Sequence, residues 1–225
     1  SKLISPSGGS ESGLSGGSFA TFSAGAASSA DIRFNDVGII EIGAQISDGD
    51  YLGSPGSDKI MGKSGYVGRF YPDHFRLSNT AVQSSCSAVL PYSYLDEPFA
   101  VSATITPYSA SGTALQNYRD GFIKLDTNRF PEMLSAVEEA APQLLSNRIA
   151  VVSDHTAYQW NAGVLTAAPN IQINRAASPD GPFPQVRIGL KPFDSDDVTL
   201  RAADLNLDLT GDGSADTARL HNTSK

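Results

Sequence analysis

Hydrophobic residues recur at every second position through much of this chain, and that period sets the first expectation about its fold. Ile40, Ile42, Ala44 and Ile46 alternate with Glu41, Gly43 and Gln45, the pattern of a strand with one apolar face. Phe99, Val101, Ala103 and Ile105 alternate in the same way with Ser102, Thr104 and Thr106, ahead of a turn at 109–112 and an expected return strand from Leu115. Ile171 with Ile173, Val186 with Ile188 and Leu190, Val198 with Leu200, and Leu205 with Leu207 and Leu209 predict four more strands. Clusters of Pro, Asp and Gly separate them and supply turns. Seven or more short strands predict an all-β fold, an antiparallel Ig-like β-sandwich.

Two stretches depart from this period. PEMLSAVEEAAPQLL at 131–145 opens on a proline and spaces Met133, Val137, Ala140 and Leu144 by three or four, so a short helix near 131–141, ended by Pro142, stands as one reading of this stretch beside strand and turn. Residues 1–30 are a Gly/Ser-rich lead-in of low expected order, in which Phe19 and Phe22 stand out as markers of a single edge strand. Turn formers crowd 53–65, the best place for an internal boundary. Residues 31–60 then read as strands of a preceding or shared β-module, and 65–220 as the sandwich domain.

Charge narrows the range of partners. With 24 acidic against 16 basic residues the net charge is −8, and the Lys and Arg residues form no stripe, so nucleic acid is not an expected partner. No apolar run is long enough for a membrane span. A start on SKLISPSGGSESGLSGGS, with neither a Met nor a signal sequence, reads as an internal piece of a longer polypeptide. The single Cys86 has no internal partner, and SSCSAV offers no base to activate it.

The sharpest local motif is the loop that begins at Asp208. Asp208, Thr210, Asp212, Ser214 and Asp216 put oxygen-bearing side chains at alternate positions of a tight loop, with Gly213 at its sixth position, and this spacing suits a structural Ca²⁺. The twelfth position is Arg219 rather than a bidentate Glu, so the loop resembles the calcium loops of β-rich repeat proteins more than a helix-loop-helix site. An acidic, solvated turn is the competing reading. Asp194, Asp196 and Asp197 form a second acidic cluster one strand earlier.

Other candidates are weaker. His74, between Asp73 and Phe75, reads as a structural histidine, and the chain has neither a G-x-S-x-G elbow nor paired metal-ligating histidines, so no enzymatic activity is expected. Tyr92, Tyr94, Tyr118, Tyr158 and Trp160 could stack on sugar rings if exposed together. Tyr158 and Trp160 are the pair singled out for ligand binding, with core packing as the alternative.

GYVGRFYPDHFRL at 65–77 and PYSYLDEPFAVSATITPYSASGTALQNY at 91–118 read as a family signature. With FNDVGIIEIGAQISDGDYLG at 34–53, WNAGVLTA at 160–167 and INRAASPDGPFPQVRIGLKPFDSDDVTL at 173–200, they resemble the C-terminal region of MshQ-like proteins over roughly 30–216. Those proteins are encoded with the machinery of mannose-sensitive haemagglutinin (MSHA) pili, a type IV pilus system of Gram-negative bacteria. The resemblance implies a surface-exposed or extracellular, pilus-associated protein with a structural or adhesive role, whose partners are other pilus or cell-surface proteins. Two alternatives stand beside it: a calcium-dependent, lectin-like module that binds surface glycans, and a purely architectural spacer.

Overall fold

The computed structural model describes residues 1–19, 21–45, 61–86, 92–153 and 155–221. Its centre is the strand whose alternation is clearest in the sequence. In β7 (Phe99–Tyr108) Phe99, Val101, Ala103 and Ile105 are buried while the residues between them are half-exposed. β6 (His74–Gln83) runs antiparallel along one edge of β7. The other edge is shared by β12 (Val164–Ala167), which faces Ala103–Ile105, and β13 (Asn170–Ile173), which faces Phe99 and Ala100. β11 (Tyr158–Asn161) and β10 (Ile149–Val151) extend this layer to a six-stranded sheet.

A second, four-stranded sheet has the order β15 (Ala218–Arg219), β14 (Val186–Leu190), β8 (Leu134–Glu138), β9 (Gln143–Leu144). Phe99, Val101, Ile105 and Ile171 of the first sheet join Leu134, Ala136, Ile188 and Leu190 of the second in one hydrophobic core. The pairings within both sheets are antiparallel, and the fold is an all-β sandwich.

Beside the sandwich, β4 (Gly38–Gln45) pairs with β1 (Lys2–Ser5) and with β5 (Met61–Phe70). Val37 and Ile40 at its start are buried, but Ala44 and Gln45 are exposed, so the predicted apolar face reaches the core only at one end. Ile46 lies outside the described residues, as do 53–60 of the expected boundary; 61–65 open β5. The lead-in is more structured than its composition suggests. β1 pairs with β4, β2 (Leu14–Ser15) pairs with β3 (Arg33–Phe34), and the Asn117 amide donates to Ser10 O while its Oδ1 accepts from Ser10 N. Phe19 and Phe22 are exposed and belong to no strand.

The helix is shorter than its pattern. A single turn, α1 (Phe130–Met133), carries Pro131 near its start and gives way at once to β8, which is buried at all five positions. Pairing with β14 on one side and β9 on the other outweighs the helix preference of Ala and Glu there. The return strand expected from Leu115 is reduced to one bridge, Tyr108 to Ala114, because β12 occupies that edge of β7. Val198 and Leu200 are buried without forming a strand, and Leu200 meets β6 through a parallel bridge to Phe75. Of the Leu205, Leu207 and Leu209 run, Leu207 is buried and bridges Thr217.

Candidate functional site

The aromatics expected to bind a ligand divide into two groups. Trp160 packs its ring on Tyr118 at 5.9 Å, and Tyr158 lies against Phe130 at 5.1 Å, both half-buried against the core. Burial raises the Tyr158 phenol above its ordinary value. Tyr118 itself is fully buried. Tyr118 is thus a core residue, while Tyr158 and Trp160 each place part of their ring against the core.

Tyr92 and Tyr94 instead stand in solvent, 44% and 62% exposed, with their rings edge to face at 5.3 Å. Their hydroxyls are 3.4 Å apart, and that contact, with the neighbouring Cys86, pushes the Tyr92 phenol up to about 12. The segment is fixed from behind by a tight turn. Tyr94 N donates to Glu97 Oε2 and Glu97 N to Tyr94 O, while Asp96, at φ 67°, donates its N–H to Ile173 O at the end of β13. Asp96 Oδ1 also accepts from Arg175 N at 2.7 Å. The Tyr94 N–H holds the Glu97 carboxyl below its ordinary range.

The pair lines a cleft of about 590 Å³ where the two sheets part. Its floor includes Phe99, Ile173 and Ile188, and its far wall is the 180–187 segment. That wall is braced by Arg148, whose guanidinium donates to Asp180 Oδ2 at 2.7 Å and to Asn174 O at 2.6 Å and lies 5.5 Å from the centre of the Phe183 ring. An apolar floor with a few fixed polar groups at the rim is the ordinary build of a ligand cleft. The alternation at Tyr92 and Tyr94 marked them as a pair; their exposure follows from the turn that carries them.

The loop beginning at Asp208 closes on itself. Asp208 Oδ1 accepts from the backbone N–H groups of Thr210 and Gly211 and from the Thr210 hydroxyl, and its Oδ2 accepts from Gly213 N at 2.8 Å. These bonds hold the Asp208 carboxyl below its ordinary range. Asp212 Oδ1 takes Ser214 N, and Asp216 Oδ2 takes Leu209 N across the neck of the loop. Among the described residues no group of three His, Cys, Asp or Glu side chains is placed to hold a metal ion.

The second acidic cluster is likewise divided. Asp194 is buried, accepting from Tyr118 Oη and from Asp196 N and Val198 N, while Asp196 pairs with Arg69 on β5 at 2.6 Å. His74 is buried, with its Nδ1 on Asp73 at 2.9 Å and its Nε2 accepting from Arg76 Nε at 3.2 Å. Asp73 in turn is paired with Arg201 at 2.7 Å. His155 sits in a 3-10 turn and His221 at the surface.

Residues 36–219 match the model of the family DUF6701, third domain. The chain belongs to the DUF6701 family. The match begins at Asp36 and ends at Arg219, so it spans β4 to β15 and includes the cleft and the Asp208 loop. No curated protein and no solved structure matches this DUF6701 chain. Among the described residues no helix is long and apolar enough to cross a membrane.

Proposed function

We propose that this DUF6701 chain is a non-enzymatic structural and adhesive module of a surface-exposed, type IV (MSHA-like) pilus-associated protein of the MshQ-like kind, working outside a Gram-negative cell. The motif resemblance over roughly 30–216 supplies the pilus context, and its span largely coincides with the family match at 36–219. The sandwich supports a structural role, because laddered strands joined by one core resist deformation. The buried polar side chains fit that role: Glu138 accepts from Ala140 N and Gln185 N, and Asp194 holds its own loop.

The observation that carries the adhesive half is the Tyr92–Tyr94 pair at the mouth of the cleft. Two large aromatics kept in water on a braced turn cost solvation, and such residues gather at sites of contact. The test is adhesion under flow of beads coated with the purified chain, on chitin, mucin and purified pili. Retention that falls when Tyr92 and Tyr94 are both changed to Ala supports the reading. Equal behaviour of wild type and double variant on all three surfaces would leave an architectural spacer.

A further inference from the structure

Seven of the ten arginines in this chain are paired with Asp or Glu, whereas Arg33, Arg76 and Arg219 form no ion pair among the described residues. In a protein of net charge −8 this is not for want of carboxylates. Two of the three, Arg76 and Arg219, line the same cavity of about 470 Å³.

The cavity is made by an irregularity in β6. That strand is tied to the C-terminal part of the chain at two points, Phe75 N to Thr199 O at 2.9 Å and Val82 N to His221 O at 2.7 Å. Between the ties its register against β7 slips at Ser78/Ala81, and Asn79 adopts a left-handed φ of 49°. The gap left between the ties is the cavity, and strand alternation points the Leu77 N–H the same way as that of Phe75.

Its polar groups are arranged for a ligand with one negative charge and several hydroxyls. Arg76 is held in place, its guanidinium 4.6 Å from the centre of the Tyr108 ring and its Nε on His74, which leaves its terminal nitrogens to donate. Arg219 is half-buried, and its backbone N–H is fixed by Asn206 Oδ1 at 2.7 Å, leaving the Asn206 amide nitrogen as a donor. Asn79, Thr80 and Asp204 complete the lining with donors and acceptors suited to hydroxyl groups. Two guanidinium groups against the one carboxylate of Asp204 leave charge for a single ligand carboxylate, which Arg recognises through paired N–H donors. A polyanion would meet Asp204. The volume suits one or two sugar rings.

We propose that this cavity binds an acidic saccharide, with its carboxylate between Arg76 and Arg219 and its hydroxyls on Asn79, Thr80, Asp204 and Asn206. The site lies apart from the Tyr92–Tyr94 cleft, and its occupancy is measurable whether or not the chain is an adhesin. The experiment is titration of the ¹⁵N-labelled chain with D-glucuronate, with D-glucose, acetate and an oligoglutamate peptide as comparators, read by amide shifts. Glucuronate should move Leu77, Asn79 and Arg219 with a dissociation constant of roughly millimolar order. Arg219→Gln should weaken it by about tenfold or more, and Arg219→Lys should fail to restore it, because an ammonium lacks the planar fork. Arg33→Gln should change nothing. Since the Arg219 side chain has no ion pair to lose, its variants should keep the wild-type melting temperature, which is measured alongside. Glucose or acetate binding as tightly as glucuronate, preferential binding of the peptide, or shifts confined to other regions would each overturn the assignment.

Discussion

The Tyr118 hydroxyl donates to Asp194 Oδ2 at 2.8 Å and, from the same oxygen, accepts the backbone N–H groups of Lys124 and Leu125 at 3.0 and 2.9 Å. Burial, and then the Asp194 charge, drive the phenol well above its ordinary pKa, so it remains a donor at any physiological pH. Removing the oxygen leaves the buried Asp194 short of a donor and strips two N–H groups of their acceptor. Tyr118→Phe should therefore lower stability by about 1–3 kcal/mol with little loss of packing, as measured by urea denaturation. An unchanged midpoint would show that water replaces the hydroxyl.

A pH dependence follows from His74. Burial, assisted by the charge of Arg201 and also of Arg76, holds its pKa below the ordinary 6.5, with Asp73 opposing and Tyr108 stacked at 5.6 Å. The folded ring is neutral and takes up its proton at lower pH than the unfolded one, so the unfolded state binds more protons on acidification. The contribution of this site is then full above about pH 6.5 and declines as pH falls through and below that value. Melting temperatures of wild type and His74→Gln across that range should show a steeper acid decline in the wild type. Parallel curves would mean that His74 does not set the slope.

Trp160 and Tyr92 should separate folding from contact. Trp160→Ala opens a hole beside Tyr118 and should cost about 2–4 kcal/mol by denaturant titration. The exposed Tyr92 and Tyr94 should tolerate Ala with the melting temperature nearly unchanged, while retention of coated beads falls. The opposite pattern, with adhesion lost on substitution of Trp160 in a chain that still melts normally, would instead support Tyr158 and Trp160 as the ligand-binding pair.

The Asp208 loop gives a test of calcium. Because the Asp208 carboxylate already accepts from three backbone N–H groups, Asp208→Ala should lower the melting temperature by the same amount in chelator and in calcium. A calcium-dependent rise in the wild type that disappears in Asp212→Ala would instead show that a cation draws these carboxylates out of their turn bonds.

What could be read in the sequence depended on whether an element's pattern coincided with its environment. β7 is a central strand with one face on the core, so Phe99, Val101, Ala103 and Ile105 announced it. β14 and β13 were legible for the same reason, through Ile188, Leu190, Ile171 and Ile173. β8 was not, because it is buried on both faces and so lost the alternation, leaving Met133 and Val137 at a spacing that reads as helical. The cleft was legible only in part: Tyr92 and Tyr94 were visible as a pair, but the wall built by Asp180 and Phe183 arrives from the far side of the sandwich. The Arg76–Arg219 cavity had no local signal, since it depends on a bulge and on residues more than a hundred positions apart in the chain.

The way β7 finds its neighbours also bears on how quickly the protein forms. Its partners come from three separate stretches, 74–83, 164–167 and 170–173, while β8 waits for 186–190 and Phe75 for Leu200. Each of these closures spans a long loop whose entropy is lost before contact is made, so folding should be slow and late. A chain emerging from the ribosome cannot complete either sheet until its last quarter is available. For a polypeptide exported unfolded, as the pilus reading requires, that delay keeps it threadable until it reaches the far side of the membrane.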